Sequence, residues 1–174
     1  MAAIPMAMMN LHYASPTLIQ TLTQETGQRA NLIATACHEI INNLDDGQHE
    51  ITAADVQEAL DSDEVAGKLA GWDSSETDQH TRQLDRIVIY AGVQLENFSY
   101  GGLLEFLESK DFRPDANELQ RSLDRLKLGF VLGESKKRYY FRVPLFKRQL
   151  QEDEPEIRLR AELRSLKSAE SNNL

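Results

Sequence analysis

One stretch of the chain, FVLGESKKRYYFRVPLF at residues 130–146, departs from the pattern around it. On both sides of it, apolar residues recur at the 3.6-residue spacing of helices that bury one face. Within it, apolar and polar residues alternate around a short charged run, the pattern of two strands joined by a turn. We predict strands at residues 130–132 and 138–143, a turn at 133–137, and Pro144 at the end of the second strand. One hairpin among many helices indicates a mainly α fold.

Three predicted helices come before this hairpin. Pro114 and Asp115 start the third one, because proline suits a first helical turn and aspartate caps it. The apolar positions of the three helices are Leu84, Ile87, Val88 and Ala91, then Leu103, Leu104, Phe106 and Leu107, then Ala116, Leu119, Leu123 and Leu126. Three helices and a hairpin form the element order of a winged helix-turn-helix, whose third helix is presented and whose hairpin is the wing. We predict this domain at residues 80–150.

The first 60 residues predict a small helical bundle. Helices are expected at residues 15–26, capped by Ser15, and at residues 29–44, after a stop at Gly27. In ITAADVQEAL, Thr52 caps a third helix and Asp55 completes a variant of the capping box. Residues 61–79 are acidic and weakly periodic, so we expect a linker there. Residues 151–174 predict a charged helix at about 154–167 and a disordered end, SAESNNL.

Charge divides the chain in the same way. The net charge is −10 over residues 1–83, +3 over 84–150 and −2 over 151–174. The acidic total argues against broad nucleic-acid affinity, while the basic middle permits a local contact. No apolar run approaches the roughly 18 residues that cross a bilayer, and the first residues lack a basic region, so we predict a cytoplasmic protein without membrane contact. The single cysteine, Cys37, lies on an apolar helix face and is expected in the core.

Several chemistries leave no trace in the sequence. The four histidines, His12, His38, His49 and His80, have no partner at metal-ligand spacing, so we expect no metal site. There is no dinucleotide fingerprint, nucleophile elbow or phosphate loop, and SYGGLL lacks the lysine that a phosphate loop requires. We therefore expect no catalytic residue and no enzyme activity from this chain.

Residues 26–60, TGQRANLIATACHEIINNLDDGQHEITAADVQEAL, resemble the C-terminal helical lid of AAA+ and STAND-like ATPases, especially the archaeal and origin-recognition types. The matching positions are Thr26, Gly27, Asn31, Leu32, Ile33 and Cys37, then Ile51, Thr52, Asp55, Val56, Ala59 and Leu60. A winged helix often follows the lid in these ATPases, and YYFRVPLFKRQL at residues 139–150 resembles its end. The sequence departs from the family pattern at Gln28, where a second glycine is common, and at Ala30, where proline is common.

The resemblance implies a non-catalytic regulatory fragment, because the nucleotide-binding core of the family is missing. Its partner would be the upstream ATPase domain, and ATP and magnesium are expected only with that domain. An arginine at the start of this lid helix can report the γ-phosphate in the family, which makes Arg29 the candidate nucleotide sensor. A solvated surface arginine is the alternative at this position.

The predicted winged helix offers two sets of polar residues for a nucleic acid. The third helix exposes Asn117, Gln120, Arg121 and Arg125, whose side-chain types suit base edges. The wing carries Lys136, Lys137 and Arg138, whose charges suit the phosphate backbone. Acidic neighbours make the third helix nearly neutral, so contact with a protein instead of DNA stays open. A stand-alone winged-helix transcriptional regulator is the alternative function, and a homo-oligomer is compatible with either.

Overall fold

The computed structural model describes residues 3–70 and 78–171. Ten helices and two pairs of short strands occur within those residues, so the protein is mainly helical, as the sequence predicts. The chain divides into two compact units. One comprises residues 3–70 together with 143–145, and the other comprises residues 78–142 and 146–171.

The first unit is built from five helices and one pair of two-residue strands. The helices are α1 (Ala3–Met8), α2 (Pro16–Glu25), α3 (Ala30–Asn43), α4 (Ala53–Leu60) and α5 (Asp63–Ala70). The strands β1 (His12–Tyr13) and β2 (Glu50–Ile51) pair in parallel, with His12 opposite Glu50. Its core is formed by side chains that include Leu22, Leu32, Ala36, Ile40, Ile51, Val56, Leu60, Val65 and Leu69.

Local capping explains where the predicted helices of this unit begin. The Ser15 hydroxyl accepts a hydrogen bond from the backbone N–H of Thr17, and Pro16 occupies the first turn of α2. Thr52 and Asp55 form the expected capping box of α4, because each side chain accepts a hydrogen bond from the backbone N–H of the other. The two caps satisfy N–H groups that a helix start otherwise leaves without partners.

Part of the segment expected to be a linker is helical. Residues 63–70 form α5, which buries Val65 and Leu69 in the first unit. A helix of eight residues with two buried apolar positions is stabilised by packing rather than by its own propensity, so periodicity alone does not reveal it. Residues 71–77 of that segment lie outside the described residues.

The second unit begins with three helices and a hairpin. The helices are α6 (Gln79–Gln94), α7 (Tyr100–Glu108) and α8 (Ala116–Leu128). The strands β3 (Leu132–Ser135) and β4 (Arg138–Phe141) pair antiparallel around a two-residue turn. Two further helices, α9 (Pro144–Glu152) and α10 (Pro155–Ser171), follow the hairpin.

The hairpin differs from its predicted boundaries. Residues 129–131 form the turn that follows α8, where Val131 donates a backbone hydrogen bond to the Leu126 carbonyl, so the first strand starts at Leu132 rather than at Phe130. The turn consists of Lys136 and Lys137 alone. Pro144 begins α9 instead of merely ending a strand, because its fixed φ suits a first helical turn.

Helix α10 packs along α6 and continues further than predicted. It buries Leu159, Leu163 and Leu166, and the Gln83 amide of α6 donates a hydrogen bond of 2.9 Å to the Glu162 carbonyl. The helix extends through Ser171, so part of the stretch expected to be disordered is helical. The remainder of that stretch, residues 172–174, lies outside the described residues.

Candidate nucleic-acid interface

Helix α8 separates its apolar and polar residues cleanly. The Asp115 side chain caps it by accepting hydrogen bonds from the backbone N–H groups of Asn117 and Glu118, at 2.9 and 3.1 Å. Leu119, Leu123 and Leu126 are buried. Among the predicted site residues of this helix, Asn117, Gln120 and Arg121 are exposed.

These three exposed side chains differ in their hydrogen bonds to the rest of the protein. The Gln120 amide donates a hydrogen bond of 3.2 Å to the Asp124 carboxylate, one helical turn away. Within residues 3–70 and 78–171, the side chains of Asn117 and Arg121 make no hydrogen bond or ion pair. Arg121 therefore presents an unneutralised guanidinium to solvent from the middle of α8.

Arg125, the fourth predicted residue of this helix, is engaged inside the unit. Its Nη2 and Nε donate to the two carboxylate oxygens of Asp85 on α6, at 2.6 and 3.1 Å. The buried Ser122 hydroxyl donates a further hydrogen bond of 2.6 Å to Asp85. A buried carboxylate is costly unless it is paired, so this arrangement stabilises the contact between α6 and α8. Among the described residues, the guanidinium of Arg125 is therefore bonded within the unit, unlike that of Arg121.

The C-terminal turn of α8 is electrostatically satisfied as well. The Lys127 ammonium bonds the Glu134 carboxylate at 2.8 Å and lies 3.0 Å from the Asp124 carboxylate. The hydrogen bonds with Glu134 and then Asp124 raise the pKa of Lys127 above its usual range. The hydrogen bond from Lys127 lowers the pKa of Asp124. These contacts tie α8 to β3 and leave little net charge at this end of the helix.

The hairpin turn has the opposite character. Lys136 and Lys137 are exposed, and both have positive φ, 51° and 61°. In the part of the chain that the structure describes, neither ammonium group has a hydrogen-bond or ion-pair partner. The neighbouring Arg138 donates a hydrogen bond of 2.7 Å from Nη2 to the Asn97 carbonyl. The two lysines thus form a free positive charge at the tip of the hairpin.

A third segment joins the hairpin at the other edge of β4. Phe98, between α6 and α7, exchanges two backbone hydrogen bonds with Tyr139, at 3.2 and 2.7 Å, and their rings stack with centroids 5.5 Å apart. Gly92 makes room for this contact, since a Cβ there would lie 2.8 Å from the Phe98 ring. The sequence pattern did not reveal this pairing, because one buried residue between two helices carries no strand periodicity.

Arg29 belongs to the first unit, and the predicted nucleic-acid residues belong to the second. It occupies the N-cap position of α3, half-buried, and its side chain does not cap the helix. No hydrogen bond or ion pair to its guanidinium occurs among the described residues. Cys37, on the same helix, is buried, and burial raises the pKa of its thiol. A buried neutral thiol is chemically quiet, which agrees with a place in the core.

Three side chains that the sequence did not single out are exposed on the outer face of the hairpin. Phe130 and Tyr140 are 57% and 38% exposed, and the Arg142 guanidinium lies 5.0 Å from the centre of the Phe130 ring. A sequence signal that could have identified Phe130 is its position as a large aromatic residue directly after Gly129, where a helix ends.

Searches among family models, curated proteins and solved structures returned no match to the chain. Among the described residues, no helix has the length and apolar character to span a bilayer. No cluster of three or more His, Cys, Asp or Glu side chains in those residues could hold a metal ion.

Proposed function

We propose that the second unit is a winged helix that contacts duplex DNA through α8 and the hairpin turn. The observation that supports this best is a set of cations in one unit that have no partner within residues 3–70 and 78–171: Arg121 on the third helix and Lys136 and Lys137 on the hairpin turn. The element order supports it too, since Phe98, between the first two helices, forms an isolated bridge to Tyr139 on the second strand of the hairpin.

The two parts of this interface have different tasks. Asn117, Gln120 and Arg121 lie along the exposed face of α8, and amide and guanidinium groups read base edges in the major groove. The two lysines suit phosphates, which fix the position of a protein on the duplex without reading its sequence. Because Arg125 and Lys127 are occupied by carboxylates of the unit itself, the turn supplies most of the electrostatic attraction.

Fluorescence anisotropy with a labelled 20-base-pair duplex tests this proposal. We expect Lys136→Ala/Lys137→Ala to weaken binding and to lower the slope of log K against log salt by about 2, since each phosphate contact contributes about 0.9. Arg121→Ala should weaken binding about ten-fold for a preferred sequence. Lys68→Ala removes one charge from α5 of the first unit and serves as the matched control.

The outcome also separates DNA from the alternative partner. If the chain binds no duplex at low salt, the proposal is wrong, and the nearly neutral α8 is better explained as a surface for a protein. If it binds but the lysine variant keeps the salt slope of the unaltered chain, the hairpin turn is not part of the interface.

We further propose that the first unit is the helical lid of an AAA+-like ATPase, so that the chain acts as its non-catalytic regulatory part. Arg29 supports this role, because its guanidinium, which has no partner among the described residues, stands at the N-terminus of α3, where an anion is favoured. ATP and magnesium would be held by a phosphate-loop domain, with Arg29 reporting the γ-phosphate.

The encoding reading frame checks the lid proposal. We expect it to encode a phosphate-loop domain ahead of residue 1, and we expect the 174-residue chain alone to show no micromolar ATP affinity by calorimetry. A reading frame that starts at Met1 would favour the stand-alone DNA-binding regulator. Micromolar ATP binding by the isolated chain would mean that the first unit holds nucleotide in a way that a lid does not.

A further inference from the structure

Phe130 occupies a backbone position that normally belongs to glycine. Helix α8 ends with Phe130 N–H bonded to the Lys127 carbonyl and Val131 N–H bonded to the Leu126 carbonyl, both at 3.0 Å. This pattern places Phe130 at the left-handed residue of the helix end, and its φ is 58°. Gly129 stands one residue too early to relieve the strain. The side chain nevertheless stays 57% exposed, so burial explains little of its presence.

Tyr140 lies across the neighbouring strand instead of pointing away from it. Gly133 is its cross-strand partner, and a Cβ on Gly133 would clash with Cζ of the tyrosine ring. The missing side chain of Gly133 is therefore what lets the ring rest on β3. Tyr140 keeps 38% of its surface exposed in this position.

Arg142 lies near the Phe130 ring and on the same exposed face of the chain as Tyr140. Tyr140 and Arg142 are two residues apart and both exposed, so they share the outer face of the chain beyond the turn. The guanidinium carbon of Arg142 lies 5.0 Å from the centre of the Phe130 ring. We call Phe130, Arg142 and Tyr140 the aromatic strip.

Exposed cations lie close to Tyr140 along the chain. Lys136, Lys137 and Arg138 precede Tyr140 along the chain, and all three are exposed. The carboxylate on the opposite strand, Glu134, is already bonded to Lys127. A surface that combines cations with flat, exposed rings is complementary to a chain that carries phosphates and flat bases.

Whether the bases of such a ligand are paired decides whether their faces are open to a protein ring. In a duplex each base is covered on both faces by its neighbours, so its faces are closed to a protein ring. In a single strand the faces are open, and an aromatic side chain or a guanidinium can stack on them. The aromatic strip therefore fits unpaired bases better than duplex DNA.

We propose that the aromatic strip is a binding site for single-stranded nucleic acid, with bases stacking on Phe130 and Tyr140 while Arg142 and the neighbouring lysines face the phosphates. In this proposal the exposed ring of Phe130 serves the contact with the ligand rather than the folding of the unit. The site uses residues other than those on the exposed face of α8, and it extends the proposed function from duplex contact to the capture of an unpaired strand.

Anisotropy with labelled 15-residue oligo-dT and oligo-rU tests the site in the full chain, and the two probes distinguish DNA from RNA. We expect Phe130→Leu and Tyr140→Leu each to weaken single-strand binding about ten-fold, because stacking on one aromatic ring contributes on that scale. Duplex affinity should change less than two-fold. Ile157→Ala is the matched control, since Ile157 on α10 is 58% exposed and carries no ring.

A second variant separates binding from folding. Phe130→Gly removes the ring and supplies the residue that the backbone conformation favours, so we expect weak single-strand binding with an unchanged or higher midpoint of thermal unfolding. A lowered midpoint would show that Phe130 is kept for stability. No oligo-dT or oligo-rU binding at low salt, or full binding by the leucine variants, would overturn the proposal. Loss of duplex binding through Arg121→Ala with single-strand binding intact would leave it standing.

Discussion

Helices α2 and α8 end with the same pair of hydrogen bonds but with different residues at the left-handed position. In α2 the position holds Gly27, with φ 59°, and Gln28 bonds back to the carbonyl of Thr23. In α8 it holds Phe130, with φ 58°, and Val131 makes the equivalent bond to Leu126. Glycine adopts this conformation without steric cost, whereas a residue with a Cβ does so at a cost of about 1–2 kcal/mol.

The two helix ends therefore differ in whether the residue type suits the backbone conformation. At Gly27 local geometry and residue type agree, as they do in most of a natural sequence, although the next residue, Gln28, also has positive φ. Near the hairpin they disagree at three positions, since Lys136 and Lys137 also have positive φ in a two-residue turn that favours Asn-Gly. Asn10, Gln28, Asp111 and Glu154 also have positive φ, so what distinguishes the hairpin region is that three such residues fall between positions 130 and 137.

The largest effect is expected at the unstrained end. Gly27→Val places a β-branched side chain at φ 59°, and we expect the free energy of unfolding to fall by about 2 kcal/mol. Urea unfolding followed by circular dichroism measures the change. If the free energy of unfolding falls by less than about 0.5 kcal/mol, the end of α2 tolerates a side chain at this position. The contrast between glycine at the end of α2 and phenylalanine at the end of α8 would then be without energetic consequence.

The hairpin turn should respond in the opposite direction. Lys136→Asn/Lys137→Gly installs the residues that the turn conformation favours, so the free energy of unfolding should rise by about 1 kcal/mol. The same variant should bind duplex DNA less well, because both free ammonium groups are lost. A rise in stability without a loss of binding would separate the strain from the function.

Phe130→Gly should give a smaller gain. Release of the left-handed backbone is offset by the lost cation–π contact with Arg142, worth about 0.5–1 kcal/mol at an exposed site, so we expect a net rise of about 0.5 kcal/mol. Replacing a ring needed in a core would instead cost about 3 kcal/mol or more. Chemical unfolding of the two chains side by side distinguishes a small rise from such a loss.

Gln28→Gly should have the smallest effect. Gln28 is an exposed residue with φ 61°, next to Gly27. Glycine relieves its backbone but also frees the unfolded chain, so we expect the free energy of unfolding to change by less than about 0.5 kcal/mol. Nucleic-acid affinity should stay the same, because Gln28 lies in the first unit. A loss of affinity in this variant would show that strain by itself does not mark the nucleic-acid surface.

Local signals predicted the long helices well. The caps at Ser15, Thr52 and Asp115 act within one turn of the chain, so the pattern of neighbouring residues determines them. Helices α1, α5 and α9 and the two-residue strands β1 and β2 were not predicted, whereas α4, which has eight residues like α5, was predicted from its capping box. Without such a local signal, elements this short depend on packing rather than on propensity. The first hairpin strand was misplaced by the left-handed turn at Phe130, which no spacing rule anticipates.

The candidate interface divides in the same way. Arg121 and Arg125 have the same residue type on the same helix, and the sequence placed both on its polar side. Folding brings Asp85, 40 residues away along the chain, to Arg125 and leaves Arg121 without a partner among the described residues. The strip of Phe130, Arg142 and Tyr140 likewise exists only when the helix end and the hairpin meet.

By itself, then, the sequence determined the mainly helical character, the caps, the hairpin and the basic run at its tip. These depend on the periodicity of apolar residues and on bonds between near neighbours. The tertiary structure decided which arginine is committed to the core, how Phe98 joins β4 and which aromatic rings stay exposed. Such outcomes depend on pairs of residues that are distant along the chain, and no local pattern specifies which of those pairs will form.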